Sequence, residues 1–165
     1  MKDRPKVGIV IGSASDKGEV EKGTAILKRF GIPFELRIIS AHRTPELAAE
    51  YAKGAASRGI SIIIAGAGYA AHLAGAMAAN TILPVIGVPL AASSLGGLDS
   101  LLSTVQMPKG IPVATVTIGG VGMENAALLA AEILALNDES IRKELIKYRE
   151  EMKKAIKDAN EGDDD

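Results

Sequence analysis

The chain has 165 residues, 19 Lys plus Arg against 20 Asp plus Glu, a formal charge of −1 and no cysteine. That length supports one domain with a proper core, and the near-neutral balance leaves no electrostatic case for nucleic acid or an anionic membrane, so any anionic ligand must be held locally. The missing cysteine excludes disulfides, thiolate nucleophiles and zinc–thiolate sites, and is compatible with a cytoplasmic protein.

Met1–Pro5 runs straight into Val7–Ile11, an apolar run too short for a signal sequence. Lys6–Ile11 reads as a central parallel strand buried on both faces. Gly12-Ser13-Ala14-Ser15-Asp16 carries turn and cap residues, and a helix follows to Phe30, ended by Gly31. Pro33–Ile39 is a second strand. Thr44 is the expected N-cap, and Pro45 the first residue, of a helix ending near Arg58-Gly59. Ser61–Ala65 is a third strand, with a Gly66-Ala67-Gly68 turn and a small-residue helix to about Asn80.

Ile60–Ala79 contains no Asp, Glu, Lys or Arg and has the length of a membrane span. Its glycine break and His72 favour strand, turn and helix instead. The Ala70–Ala79 part is apolar almost all round, so it needs burial on every side; contacts between subunits would supply that, and a homo-oligomer is expected.

Pro84–Val88 is a fourth strand, Pro89–Ser94 a loop, Leu98–Val105 a short helix and Pro112–Ile118 a fifth strand. A helix is predicted over Glu124–Leu136. Asp138 caps a last helix with an apolar stripe of Ile141, Leu145, Tyr148, Met152 and Ile156. Residues 1–160 read as a single domain, and 161–165 as a frayed acidic tail. Five strands alternating with helices give a three-layer α/β fold, a doubly wound parallel sheet of flavodoxin-like order 2-1-3-4-5 with an extra C-terminal helix. In that order the turns after the first three strands lie side by side at the carboxyl end of the sheet, where open α/β sheets bind ligands.

Those turns hold the chemistry-bearing residues. Gly12–Asp16 offers two hydroxyls and helix N-terminal N–H groups, which suits either a plain cap or a phosphate cradle. It is not a Walker A loop, because no Gly-Lys-Ser/Thr follows. Ser40-Ala41-His42-Arg43-Thr44-Pro45 puts an imidazole beside a fixed cation at a strand-to-helix switch. His42 can take and return a proton near neutrality, or hydrogen-bond a loop carbonyl as a structural histidine. Arg43 suits a phosphate geometrically, or is a surface arginine. His42 and His72, the only histidines, lack a third metal ligand beyond Asp16, so no metal is expected. Asp99 and Glu124 read as carboxylates favoured at helix starts.

Five of these motifs, Gly12–Asp16, Ser40–Pro45, Ala65–Leu73, Gly97–Leu101 and Val105–Pro108, together with Asn125–Ala131, resemble the N5-carboxyaminoimidazole ribonucleotide mutase family of purine biosynthesis. The resemblance runs from Lys6 to about Leu136. It implies a homo-octamer with sites at subunit contacts and a reaction without metal or organic cofactor. The carboxylate on the exocyclic nitrogen of 5-aminoimidazole ribonucleotide moves to ring carbon 4, through carbon dioxide released and recaptured in a closed pocket. By position, the resemblance makes His42 the proton carrier. Ser13, Ser15, Asp16, Ser40, Ala41 and Arg43 would bind the ribonucleotide, with Asp16 on the ribose and Arg43 and the serines on the phosphate. Gly66, Ala67, Gly68, Ala71, His72 and Leu73 would wall the base and carboxylate.

Two positions depart from the family's usual run: Tyr69 stands for a glycine and Ala74 for a proline. A sister group that carboxylates the ribonucleotide directly tends to carry lysine after the histidine, so Arg43 favours the mutase. The direct carboxylase and a non-catalytic nucleotide-binding module are the alternatives.

Overall fold

The computed structural model describes residues 6–161. Its strands are β1 (Val7–Ile11), β2 (Phe34–Ile38), β3 (Ile62–Ala67), β4 (Val85–Pro89) and β5 (Ala114–Thr115). Its helices are α1 (Lys17–Arg29), α2 (Pro45–Arg58), α3 (Leu73–Ala78), α4 (Leu98–Val105), α5 (Gly119–Leu134) and α6 (Glu139–Glu161), and a 3-10 turn at Ala14–Asp16 leads into α1. Every strand pairing is parallel and the order is 2-1-3-4-5, as expected. Among the described residues no helix is long and apolar enough to cross a membrane. Met1–Pro5 and residues 162–165, most of the expected acidic tail, lie outside the described residues; Glu161 closes α6.

Alternation along the buried strands divides the core in two. Val7, Ile9, Ile11, Ile62, Ile64, Ile86 and Val88 face α1, α5 and the start of α6. Val10, Ile63, Ala65 and Val85 face α2 and α3. Taking each of the large side chains out of water contributes about 1.5–3 kcal/mol, which is why apolar runs without polar interruption become the three central strands. On α1, Val20, Gly23, Thr24 and Leu27 form one buried face, and on α5 Met123, Ala126, Ala127, Ala130 and Ala131 do the same. Both faces are small, so the two helices pack closely: a Cβ on Gly23 would lie 2.7 Å from the Met123 carbonyl oxygen.

Gly59 ends α2 at φ 99°, open to glycine at little cost, and Asp138 caps α6 through its Oδ1, which accepts from Ser140 N at 3.0 Å and Ser140 Oγ at 2.6 Å. The hydroxyl of Ser140 above all holds the Asp138 carboxyl below the usual carboxylate range. Thr44 occupies the expected position before Pro45 but makes no side-chain cap. Its Oγ1 donates instead to the Ser40 carbonyl at 2.8 Å, tightening the loop rather than the helix.

Four boundaries differ from expectation. β3 continues through Gly66 and Ala67, so the turn starts at Gly68. The apolar helix is only Leu73–Ala78, because Ala70 and Ala71 belong to the preceding turn; its Gly75, Ala76 and Ala78 are half-buried. β5 has two residues rather than seven, since Pro112 has no N–H to donate and the chain leaves the sheet after Val116 N bonds Gly87 O at 3.1 Å. α5 starts at Gly119, five residues early, which moves Glu124 from the helix start into its second turn. The α6 stripe packs at Ile141, Leu145 and Tyr148, the last edge-on to Phe30 at 5.8 Å, but Met152 and Ile156 are exposed where the helix outruns the body.

Candidate active site

Strand register decides where the functional turns emerge. Ile11 is level with Ile38 of β2 and Gly66 of β3, and Ala67 is level with Pro89 of β4. Backbone bonds carry that alignment past the strand ends: Ile39 N to Ile11 O at 2.9 Å, Gly12 N to Gly66 O at 3.3 Å and Leu90 N to Ala67 O at 2.9 Å. Four loops therefore open side by side around a cavity of about 750 Å³.

The first wall is the Gly12–Asp16 turn. Ser13 Oγ accepts from Ser15 N at 3.3 Å and from Ser15 Oγ at 2.9 Å, and Ser15 Oγ lies 3.3 Å from Asp16 Oδ1. Both the cap and the ligand reading of this turn are thus accommodated: Ser13 caps the 3-10 turn while its own O–H remains a donor toward the cavity. Partial burial raises the Asp16 carboxyl above its ordinary value, against the Ser15 hydroxyl and the Ser13 N–H, which pull it down. A raised native value favours the folded state below the unfolded value of 3.8, and that contribution is lost as pH rises through the native value. Ionised Asp16 is therefore a liability in the free protein at neutral pH. Asp16→Asn should unfold at the same temperature or higher at pH 7 while binding a ribose-bearing ligand about tenfold more weakly, the scale of a hydrogen bond to a charged group. Paired melting and binding curves check this; a lower melting temperature with unchanged binding would sink it.

The second wall is the loop after β2. Ser40 Oγ accepts from Arg43 N at 3.2 Å, and Thr44 N bonds Ser40 O at 2.8 Å, so one serine fixes the loop that carries His42 and Arg43. Both side chains are exposed, and among the described residues the Arg43 guanidinium is in no ion pair. The third wall, Ala67–Leu73, brings His72 up to His42, with ring centroids 5.4 Å apart and planes at 38°. Two imidazoles, two carboxylates, three serine hydroxyls, a tyrosine and a guanidinium outside the ion pairs of the described residues thus share one concavity, which suits a phosphorylated ligand and proton transfer.

All but one of the predicted site residues line the cavity. Gly66 does not: it lies within β3, where a Cβ would meet Met123 Cε at 2.3 Å on the far face. Its contribution is the carbonyl that receives Gly12 N. Gly12 and Tyr69, members of the expected turns, line it too, and unforeseen lining comes from Glu19, Ala70 and the Leu90–Ala92 loop after β4. Glu19 stands one helical turn beyond Asp16, a neighbour on the same face that the spacing could have revealed. The β4 loop follows from the rule that parallel strands deliver their ligands at their carboxyl ends.

A doubly wound sheet with a histidine-bearing polar crevice at its order reversal places the chain in the class of α/β proteins that bind ligands at the carboxyl ends of their strands. Within it, this chain belongs to the AIR carboxylase family, which it matches over residues 6–155. It is 54% identical to the N5-carboxyaminoimidazole ribonucleotide mutase of Pyrococcus horikoshii over 94% of this chain and 87% of the other. With the mutase of Bacillus subtilis it shares 50% identity over 96% of this chain and 98% of the other. The crystal structure of Treponema denticola PurE superimposes with a TM-score of 0.87 at 34% identity, covering 98% of this chain and 100% of that one.

Proposed function

We propose that this protein is an N5-carboxyaminoimidazole ribonucleotide mutase of purine biosynthesis, acting as a single catalytic domain over residues 1–160. The observation that carries the reading is the meeting of His42, His72, Asp16 and the unpaired Arg43 in one cavity at the strand-order reversal, in a chain half or more identical to relatives bearing that name.

Arg43 and the Ser13, Ser15 and Ser40 hydroxyls bind the phosphate, and Asp16 binds the ribose. The bond from the exocyclic nitrogen to its carboxylate breaks, releasing carbon dioxide as that nitrogen takes a proton. Ring carbon 4 then attacks the carbon dioxide, the new carbon–carbon bond forms, and carbon 4 gives up its proton. His42 supplies the first proton and accepts the second, so the two transfers balance. The His72 and Ala67–Leu73 wall keeps carbon dioxide beside the ring, where local capture gains a large effective concentration.

The same reading makes the protein a cytoplasmic homo-oligomer, an octamer by its family. α4 supports this: it buries Ser100 and Thr104, whose hydroxyls bond backbone carbonyls, and exposes Leu98, Leu102 and Val105 on its outer face. An outward apolar stripe of this kind calls for a covering surface.

The test incubates the pure protein with N5-carboxyaminoimidazole ribonucleotide, without ATP or added bicarbonate. Formation of the carbon-carboxylated isomer is expected. Product only from aminoimidazole ribonucleotide with high bicarbonate would instead make it the direct carboxylase, and a stable monomer by light scattering at micromolar concentration would remove the oligomer.

A further inference from the structure

Tyr69 is the one non-glycine residue at positive φ among those described, at 54°. A side chain there crowds its own carbonyl, at a cost that persists only where something retains it. A glycine would take the same backbone without that cost, so stability of the turn does not explain a tyrosine. The turn itself is held on both sides: Ala71 N bonds Tyr69 O at 2.9 Å, and Gly68 is pressed on the β4 loop, where a Cβ would meet Ala92 Cβ at 2.4 Å.

The ring is as unusual as the backbone. The chain has two phenylalanines, three tyrosines and no tryptophan. Phe30 and Tyr51 are buried, and Phe34 and Tyr148 pack on the core. Tyr69 alone stays bare, 63% exposed, although it lines the cavity. Of the other lining residues, Ala70, Ala91 and Ala92 are too small to cover a heterocycle, and the other flat rings are the His42 and His72 imidazoles. The cavity thus has charged and hydroxyl groups for a phosphate and a ribose, two imidazoles for proton transfer, and in Tyr69 one phenyl-type ring that no core contact uses.

We propose that Tyr69 is a specificity-determining residue: its ring stacks on the five-membered base of the bound ribonucleotide. This rests on the ribonucleotide reading of the site above, and it adds a contact that depends on the base rather than on the sugar phosphate.

The experiment compares binding of aminoimidazole ribonucleotide and of ribose 5-phosphate to the full-length wild type, Tyr69→Gly and Tyr69→Phe. Tyr69→Gly should bind the nucleotide about tenfold more weakly, within the range for an aromatic–base stack, and ribose 5-phosphate as the wild type does. Tyr69→Phe should restore most of the lost nucleotide affinity, because the ring and not the hydroxyl is required. The glycine variant should melt no lower than wild type, which separates lost stacking from lost folding. Equal weakening toward both ligands, or no weakening toward either, overturns the proposal. So does a fall in particle mass by light scattering in Tyr69→Gly, which would make the ring a contact between copies. If the wild type fails to turn over N5-carboxyaminoimidazole ribonucleotide, the mutase reading falls, while the two-ligand comparison still decides the base contact.

Discussion

His42→Asn should lower turnover by at least about 100-fold, the scale of losing a positioned acid–base group, with the melting temperature unchanged. The second half of that expectation follows from where the residue sits. His42 is exposed on a loop, set obliquely against His72, and the loop is fixed by Ser40 and Thr44 rather than by the imidazole. Asparagine keeps similar bulk and hydrogen-bonding capacity but cannot carry a proton near neutrality, so substrate should still bind. Steady-state kinetics beside a melting curve reads both quantities. Near-normal turnover would take His42 out of the mechanism; a large drop in melting temperature would assign it a structural role.

Gly122→Ala should cost about 3 kcal/mol of stability, at the upper end for a group forced into filled space. For a chain of this size that lowers the melting midpoint by about 6–12 °C. The added Cβ would lie 1.9 Å from the Thr117 carbonyl oxygen and 2.9 Å from its carbon, with Val88 Cγ1 at 3.0 Å. Two of these are backbone atoms, so no side-chain rotation relieves the clash, and either the first turn of α5 unwinds or the segment after β5 moves. Gly18→Ala is the control. It lies on the exposed side of α1 with nothing within 4 Å of an added Cβ, and should be stabilised by about 0.5–1 kcal/mol. Scanning calorimetry on both variants decides; a Gly122→Ala midpoint equal to wild type would show that residues 117–122 repack freely.

The contrast between these two glycines explains where the sequence was readable. β1, β3 and β4 are continuous apolar runs closed by glycine or proline, so period, length and punctuation agreed, and the order and the alignment of three loops followed. Glycine disfavours helix, so the sequence predicts a start at Glu124 where the helix in fact begins at Gly119. Glycine is retained there by contacts outside the helix: a Cβ on Gly122 would fall 1.9 Å from the Thr117 carbonyl oxygen and 3.0 Å from Val88 Cγ1. Gly66 was misplaced for the same reason, since only Met123 on the opposite face reveals what its missing Cβ is for. That His42 and Arg43 line the cavity was legible because the strand order puts the turn that carries them at the carboxyl end of the sheet. Tyr69 was visible as an odd residue, but its strain and its bare ring became evident only with backbone angles and neighbours in place.

The brevity of β5 has a consequence for behaviour in crowded solution. A sheet's outermost strands offer unpaired N–H and C=O groups that can template growth by another chain. Here one margin ends in a two-residue strand preceded by Pro112, and the other, β2, carries Glu35 and Arg37, joined by an ion pair at 3.2 Å. Neither margin gives an incoming strand a long, uncharged partner. Five parallel strands, a topology that pairs distant segments and is slow to assemble, are thereby guarded against fibrillar stacking at both borders.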